Sequence, residues 1–170
     1  FISAADPDVR TNYKSIKKLK KNNVIVNVGL EKNRTYNLNK FFFKSVLKKK
    51  PFTKVKIATS TDEKIAWHDY KSKWISNKSS REYAHKLRSM SQAILTTSKT
   101  VIKDDPRLTI RLKKTLEKHI PIIIIDNNLK IPIKSKILKD ISKKRIIIFT
   151  SKKNKKSENL IKLGCEIIFC

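Results

Sequence analysis

Two five-residue runs restrict the possible folds more than any other part of the chain. They are Pro121-Ile122-Ile123-Ile124-Ile125 and Arg145-Ile146-Ile147-Ile148-Phe149, apolar at almost every position. A strand with one face in water alternates apolar and polar residues. A run without alternation is expected where helices cover both faces, as in a parallel sheet. Residues 135–144 and 158–163 read as helical, and Cys165 to Phe169 as a third strand. Strand and helix therefore alternate, which predicts an α/β fold with a mostly parallel sheet flanked by helices.

Upstream, Phe1-Ile2-Ser3-Ala4-Ala5 reads as the end of a strand stopped by Asp6-Pro7-Asp8. A helix is expected from about Asn12 to Asn22, and a strand over Val24, Val26 and Val28 ending at Gly29. Residues 31–49 carry Tyr36, Leu38, Phe41, Phe42, Val46 and Leu47 at roughly helical spacing, so one helix is expected there. Lys48-Lys49-Lys50-Pro51 ends it, because proline disfavours helical backbone in the residue before it. This is the expected domain boundary, giving residues 1–50 and 51–170. Phe52 to Ala58 alternates and predicts a strand. Ser76 is the expected N-cap of a helix from Asn77 to about Met90, with Tyr83, Ala84 and Leu87 on its apolar face. A short strand over 92–95 and a helical turn over 98–103 follow.

The chain has 170 residues and a net charge of +27, from 41 Lys plus Arg against 14 Asp plus Glu. Dense cations favour a phosphate backbone, but a binding face is localised, whereas these lysines run through every segment. Charge therefore does not select a specific nucleic-acid partner. The two cysteines, Cys165 and Cys170, form neither a disulfide framework nor a zinc spacing, which suits a reducing cytoplasm. No apolar run approaches the ~20 residues a spanning helix needs, so no membrane partner is expected. The chain opens on Phe1 and closes inside an apparent strand, so a piece of a longer protein is expected.

With two glycines there is no glycine-rich phosphate loop. His68, His85 and His119 lie in no zinc-hydrolase pattern and are expected at the surface. Residues 71–111 stand out instead. Ser72 and Trp74 open this stretch, Arg88 lies on its helix, and Lys103-Asp104-Asp105-Pro106-Arg107-Leu108-Thr109-Ile110-Arg111 closes it. Small-ligand sites combine an apolar wall with a few aimed polar groups, and guanidinium groups match phosphate in a fork that lysine cannot reproduce. Each residue also has an ordinary reading. Trp74 can be a core aromatic, Asp104-Asp105-Pro106 a simple turn, Arg88 and Arg111 solvated cations, and Lys56 a side chain pointing to water.

Several runs together resemble the reductase domain of the bifunctional riboflavin-biosynthesis deaminase–reductase family. They are Lys56-Ile57-Ala58-Thr59-Ser60-Thr61-Asp62, Ser72-Lys73-Trp74-Ile75-Ser76, Leu87-Arg88-Ser89, Ala93-Ile94-Leu95-Thr96 and Thr100 through Arg111. Asp6-Pro7-Asp8, Val24 to Gly29 and Asn39 to Lys44 resemble the tail of that family's zinc deaminase domain. The resemblance implies a dihydrofolate-reductase-like domain preceded by the end of a cytidine-deaminase-like α/β domain. It implies NADPH as cofactor and the phosphorylated pyrimidine 5-amino-6-(5-phosphoribosylamino)uracil as substrate, its ribosyl group reduced to ribityl. Ala58, Trp74, Thr100, Asp104 and Asn127 would line the cofactor. Ser72, Leu108, Arg88 and Arg111 would hold the substrate, the arginines at its phosphate. Lys56 is the candidate proton donor. No metal ligand falls in the chain, since the family's zinc belongs to the deaminase part before it. A cytoplasmic homo-oligomer is expected of the complete protein. Glu63 stands where the family usually has glycine, and Asn127 where it often has serine. A basic nucleic-acid-binding module and a non-catalytic homologue are the competing readings.

Overall fold

A computed structural model of the chain describes residues 1–68, 75–112, 119–139 and 141–170. The chain separates into two compact units, 1–55 and 56–170.

The first unit holds α1 (Lys14–Lys21), α2 (Lys32–Leu38) and α3 (Lys40–Lys48). The single helix expected over 31–49 is two. Asn39 ends α2 and begins α3, and its side-chain amide donates to the Thr35 carbonyl at 3.2 Å. Asparagine favours such local bonds over the helical ladder. Its aromatic core is small: Tyr36 packs on Phe43 with ring centroids 4.2 Å apart, and Phe41 on Phe52 at 4.5 Å. Phe43 is buried, while Phe42 stays exposed. The strand expected over 24–28 reduces to one bridge, Ile2 with Val28, because no further residue of Val24 to Gly29 pairs in register.

The second unit contains α4 (Lys78–Ser89), β1 (Ile94–Thr97), α5 (Ser98–Asp104), β2 (Ile122–Ile125), β3 (Ile146–Thr150), α6 (Lys155–Lys162) and β4 (Glu166–Phe169). Asn77 rather than Ser76 caps α4, its side chain accepting from the Ser80 amide at 2.8 Å. The expected helix over 135–144 is replaced by two 3₁₀ turns, Lys136–Leu138 and Ile141–Lys143. No strand forms over 52–58, whose Val55 and Ile57 side chains are exposed. Alternation there supplies one strand's pattern, but a strand also needs a partner for its backbone groups.

The sheet is wholly parallel, in the order β1-β2-β3-β4. Ile94 pairs with Ile122, Ile122 with Ile146, and Ile147 with Glu166. Every crossover advances in the same direction, and crossovers between parallel strands are right-handed. The described helical parts of the connections accordingly pack on one face. Val101 of α5, Ile137 and Leu138 of the first 3₁₀ turn and Leu160 of α6 join Ile122, Ile124, Ile146 and Ile148 in one buried cluster. The opposite face is only partly covered: Leu95, Ile125 and Ile168 are exposed, while Ile123, Ile147 and Phe149 are half-buried. Among the described residues, the full cover expected on both faces of β2 is complete on one and partial on the other, where Ile123 is half-buried and Ile125 exposed. Among the described residues no helix is long and apolar enough to cross a membrane.

Candidate functional site

Two groups of side chains emerge in the second unit. The first lies at the carboxyl edge of the sheet, where open parallel sheets bind ligands. β1 ends at Thr97, which pairs with Ile125 of β2. Thr97 caps α5, its hydroxyl oxygen accepting from the Thr100 amide at 3.5 Å. Two residues beyond Ile125 lies Asn127, its side chain exposed and its carbonyl accepting from the Ser151 amide at 3.2 Å and the Thr150 hydroxyl at 3.0 Å. Thr100, in the first turn of α5 after β1, and Asn127, in the turn after β2, thus follow the carboxyl ends of neighbouring strands. Asp126, between strand and loop, is buried and holds the turn together. Its carboxylate accepts from the Lys130 amide at 2.8 Å and the Ile131 amide at 2.9 Å.

Asp104 closes α5 and is exposed, one helical turn beyond Thr100. Its neighbour Asp105 takes a left-handed conformation with φ 39°, which aspartate tolerates better than most residues. Asp105 accepts from the Lys136 amide at 2.7 Å and pairs with the Lys136 ammonium at 3.1 Å. These bonds to Lys136 hold its carboxyl below the usual carboxylate range. The acidic pair therefore divides, with Asp105 tying α5 to the 3₁₀ turn.

The second group joins α4 to residues 108–111. The Arg88 guanidinium donates to the Thr109 carbonyl at 2.6 Å and lies 3.3 Å from His85 Nδ1. That same Nδ1 accepts from the Arg111 amide at 3.1 Å. Burial, and then the charge of Arg111, lower the pKa of Arg88. Among the described residues no carboxylate pairs with either arginine. Leu108, at φ 50°, packs against the core and anchors the segment. It also lines, with Thr109, Ile110, His119, Ile120, Ile122 and Lys144, a cavity of about 40 Å³. That volume is of the order of one or two waters, too small for a nucleotide.

His85 corrects an expectation. His68 and His119 are exposed as anticipated, but His85 is 8% exposed and faces inward from α4 while Tyr83 faces solvent. One signal was available: His85 and Arg88 lie three apart, on one helix face. Ala58 is half-buried and Lys56 exposed, both in the stretch that forms no strand. Ser72 and Trp74 lie outside the described residues. Glu63, where the resembling family has glycine, takes φ 62°. Among the described residues no cluster of three or more His, Cys, Asp or Glu could hold a metal.

The model of the RibD C-terminal domain family matches residues 51–168. The riboflavin biosynthesis protein RibD of Aquifex aeolicus is 36% identical over 167 residues, covering 98% of this chain and 46% of that protein. The Actinobacillus pleuropneumoniae RibD is 30% identical over 172 residues, covering 100% of this chain and 45% of its own length. A solved structure of Acinetobacter baumannii RibD superposes with TM-score 0.84 at 25% identity, covering 98% of this chain and 46% of that one. The diaminohydroxyphosphoribosylaminopyrimidine deaminase/5-amino-6-(5-phosphoribosylamino)uracil reductase of Thermotoga maritima superposes with TM-score 0.78 at 27% identity, covering 98% and 52%. The chain spans about half the length of these relatives. With its parallel sheet and its match over residues 51–168, the chain belongs to the RibD C-terminal domain family.

Proposed function

We propose that this chain forms the substrate-holding part of a 5-amino-6-(5-phosphoribosylamino)uracil reductase in riboflavin biosynthesis, within a bifunctional deaminase–reductase. On this reading, residues 51–170 are the first part of the reductase domain and residues 1–50 the end of a deaminase domain whose zinc site precedes them. The observation that carries the reading is the meeting of Arg88 and Arg111 around His85, with no carboxylate on either among the described residues. Two cations brought together without an anion form a receptor for one, and a phosphate offers the matching oxygens. Leu108, packed on the core in the same segment as Arg111, would supply an apolar wall, and Ser72 is carried as a substrate ligand on the resemblance.

The residues at the carboxyl edge fit a nicotinamide nucleotide. Thr100 and Asn127 offer a hydroxyl and an amide just beyond the ends of adjacent strands, in α5 and in the turn after β2, and such groups hydrogen-bond ribose and carboxamide. Ala58, Trp74 and Asp104 complete the assignment. When bound, NADPH supplies hydride chemistry to the sugar carbon. The chain's own residues bind and orient the sugar phosphate so that this carbon is presented. Lys56 is carried as proton donor on the resemblance. The same reading makes the complete protein a cytoplasmic homo-oligomer. The nucleic-acid alternative is less well supported. Lys54 lies over the Phe41 ring and Lys44 over Phe52, so these aromatics already carry the chain's own cations.

The test uses the full-length protein with the phosphorylated substrate and its dephosphorylated counterpart. A charge-assisted bond to phosphate contributes about 1.5–3 kcal/mol, so Arg88→Ala or Arg111→Ala should lower kcat/KM roughly ten- to a hundredfold on the phosphorylated substrate. Turnover of the dephosphorylated one should barely change. Equal losses on both substrates would make the arginines structural.

A further inference from the structure

The hydrogen bonds around His85 determine its protonation state without reference to any titration. A backbone amide can only donate, and a guanidinium has donors and no acceptor. The Arg111 amide, 3.1 Å away, and the Arg88 guanidinium, 3.3 Å away, both approach Nδ1. Nδ1 therefore carries no proton, and the neutral ring keeps its proton on Nε2. The imidazole is buried, and it joins α4 to a segment some 26 residues further along the chain. Arg88 adds a second link by donating to the Thr109 carbonyl. The Arg88 guanidinium and the Arg111 backbone are thus tied to one ring.

We propose that neutral His85 is the positioning residue of the anion clamp, its unprotonated Nδ1 holding the Arg111 backbone beside Arg88 so that protonation of the ring releases the clamp. The proposal rests on the reading of Arg88 and Arg111 as a phosphate clamp. The groups facing the ring are Arg88 from its own helix, and Arg111 with the Thr109 carbonyl from the segment packed on it. Burial, then Arg88, then Arg111 disfavour the imidazolium, and the Thr109 carbonyl opposes them in part, leaving the pKa below the ordinary 6.5. The unfolded chain therefore takes up the proton first. The contribution to stability is full above pH 6.5 and is lost as pH falls below it toward the lower folded value.

Two substitutions in the full-length protein test this. In His85→Asn the side-chain oxygen takes the place of Nδ1 as acceptor but cannot be protonated. His85→Leu keeps an apolar side chain and loses the acceptor. The substrate phosphate itself takes up a proton near pH ~6 and gives every variant the same acid limb, so the His85 contribution is the difference between profiles. His85→Asn should bind the phosphorylated substrate like the native protein at pH 8 and should lose less affinity than it between pH 7 and 5.5. His85→Leu should raise KM about tenfold at pH 8, with kcat little changed and the dephosphorylated substrate unaffected. An acid limb unchanged in His85→Asn would overturn the proposal, as would a KM unchanged in His85→Leu. Equal losses on both substrates in His85→Leu would also overturn it and make the ring a packing residue. Failure of the clamp itself looks different: Arg88→Ala and Arg111→Ala then treat the two substrates alike, whatever stands at position 85.

Discussion

Ile124 and Ile125 are neighbours in one strand with identical side chains, yet the first is 0% exposed and the second 43%. The same contrast runs along the sheet. Ile122, Ile146 and Ile148 are buried beneath the crossovers, while Leu95 on the other face is 64% exposed. The difference has its source in strand order and not in residue type. A sheet built 1-2-3-4 with right-handed crossovers packs the described helical parts of its connections on one side. Composition marks these segments as strands, and topology decides which half of each is covered.

Substitutions that treat the two faces separately put this contrast at risk. Ile148→Ala, on the covered face, should cost about 2–5 kcal/mol, whereas Ile125→Ala should cost about 1 kcal/mol or less. Denaturant unfolding of both variants measures the gap, and equal losses would mean that the second face is also packed. The contrast sharpens at the end of β2. Asp126→Ala removes the acceptor for two backbone amides and should cost about 2–3 kcal/mol. Asn127→Ala leaves the bonding carbonyl in place and should stay within about 0.5 kcal/mol. A large loss at Asn127 would assign its side chain a structural duty in place of one toward a ligand. Smallest of all, Leu95→Lys should shift stability by no more than about 0.5 kcal/mol. Its visible effect should be weaker binding of an apolar fluorescent dye, and a loss above about 2 kcal/mol would show Leu95 to be covered.

Much of the second unit is legible in the residues. The isoleucine runs announce β2 and β3, and the alternation of strand and helix announces a parallel sheet, because both depend on local patterns. Phe52 to Ala58 has an equally good pattern and forms no strand, since pairing depends on a neighbour that the segment does not itself contain. The site divides in the same way. Arg88, Leu108 and Arg111 stand out in the sequence; the structure bonds Arg88 to the Thr109 carbonyl and the Arg111 amide to His85, and packs Leu108 on the core. His85 is not recognisable, because its character comes from a bond to the Arg111 amide far along the chain. The acidic pair is half legible. Its turn is plain from Asp-Asp-Pro, but that Asp105 serves the fold depends on the distant Lys136.

The order of the strands also bears on how the unit assembles. No two paired strands are joined by a hairpin, so each pairing closes a loop before it gains any hydrogen bond, and such non-local topologies fold slowly. The loops differ in length. β3 and β4 enclose the shortest, from Thr150 to Glu166, and most of it is α6. That helix begins with a reciprocal cap, Asn154 accepting from the Ser157 amide while the Ser157 hydroxyl accepts from the Asn154 amide. The C-terminal β3–α6–β4 unit thus has the smallest entropy to overcome and the best-defined local start. From there β2 and then β1 can add to a growing edge, so the segment that carries Arg88, His85 and Arg111 is set in place last.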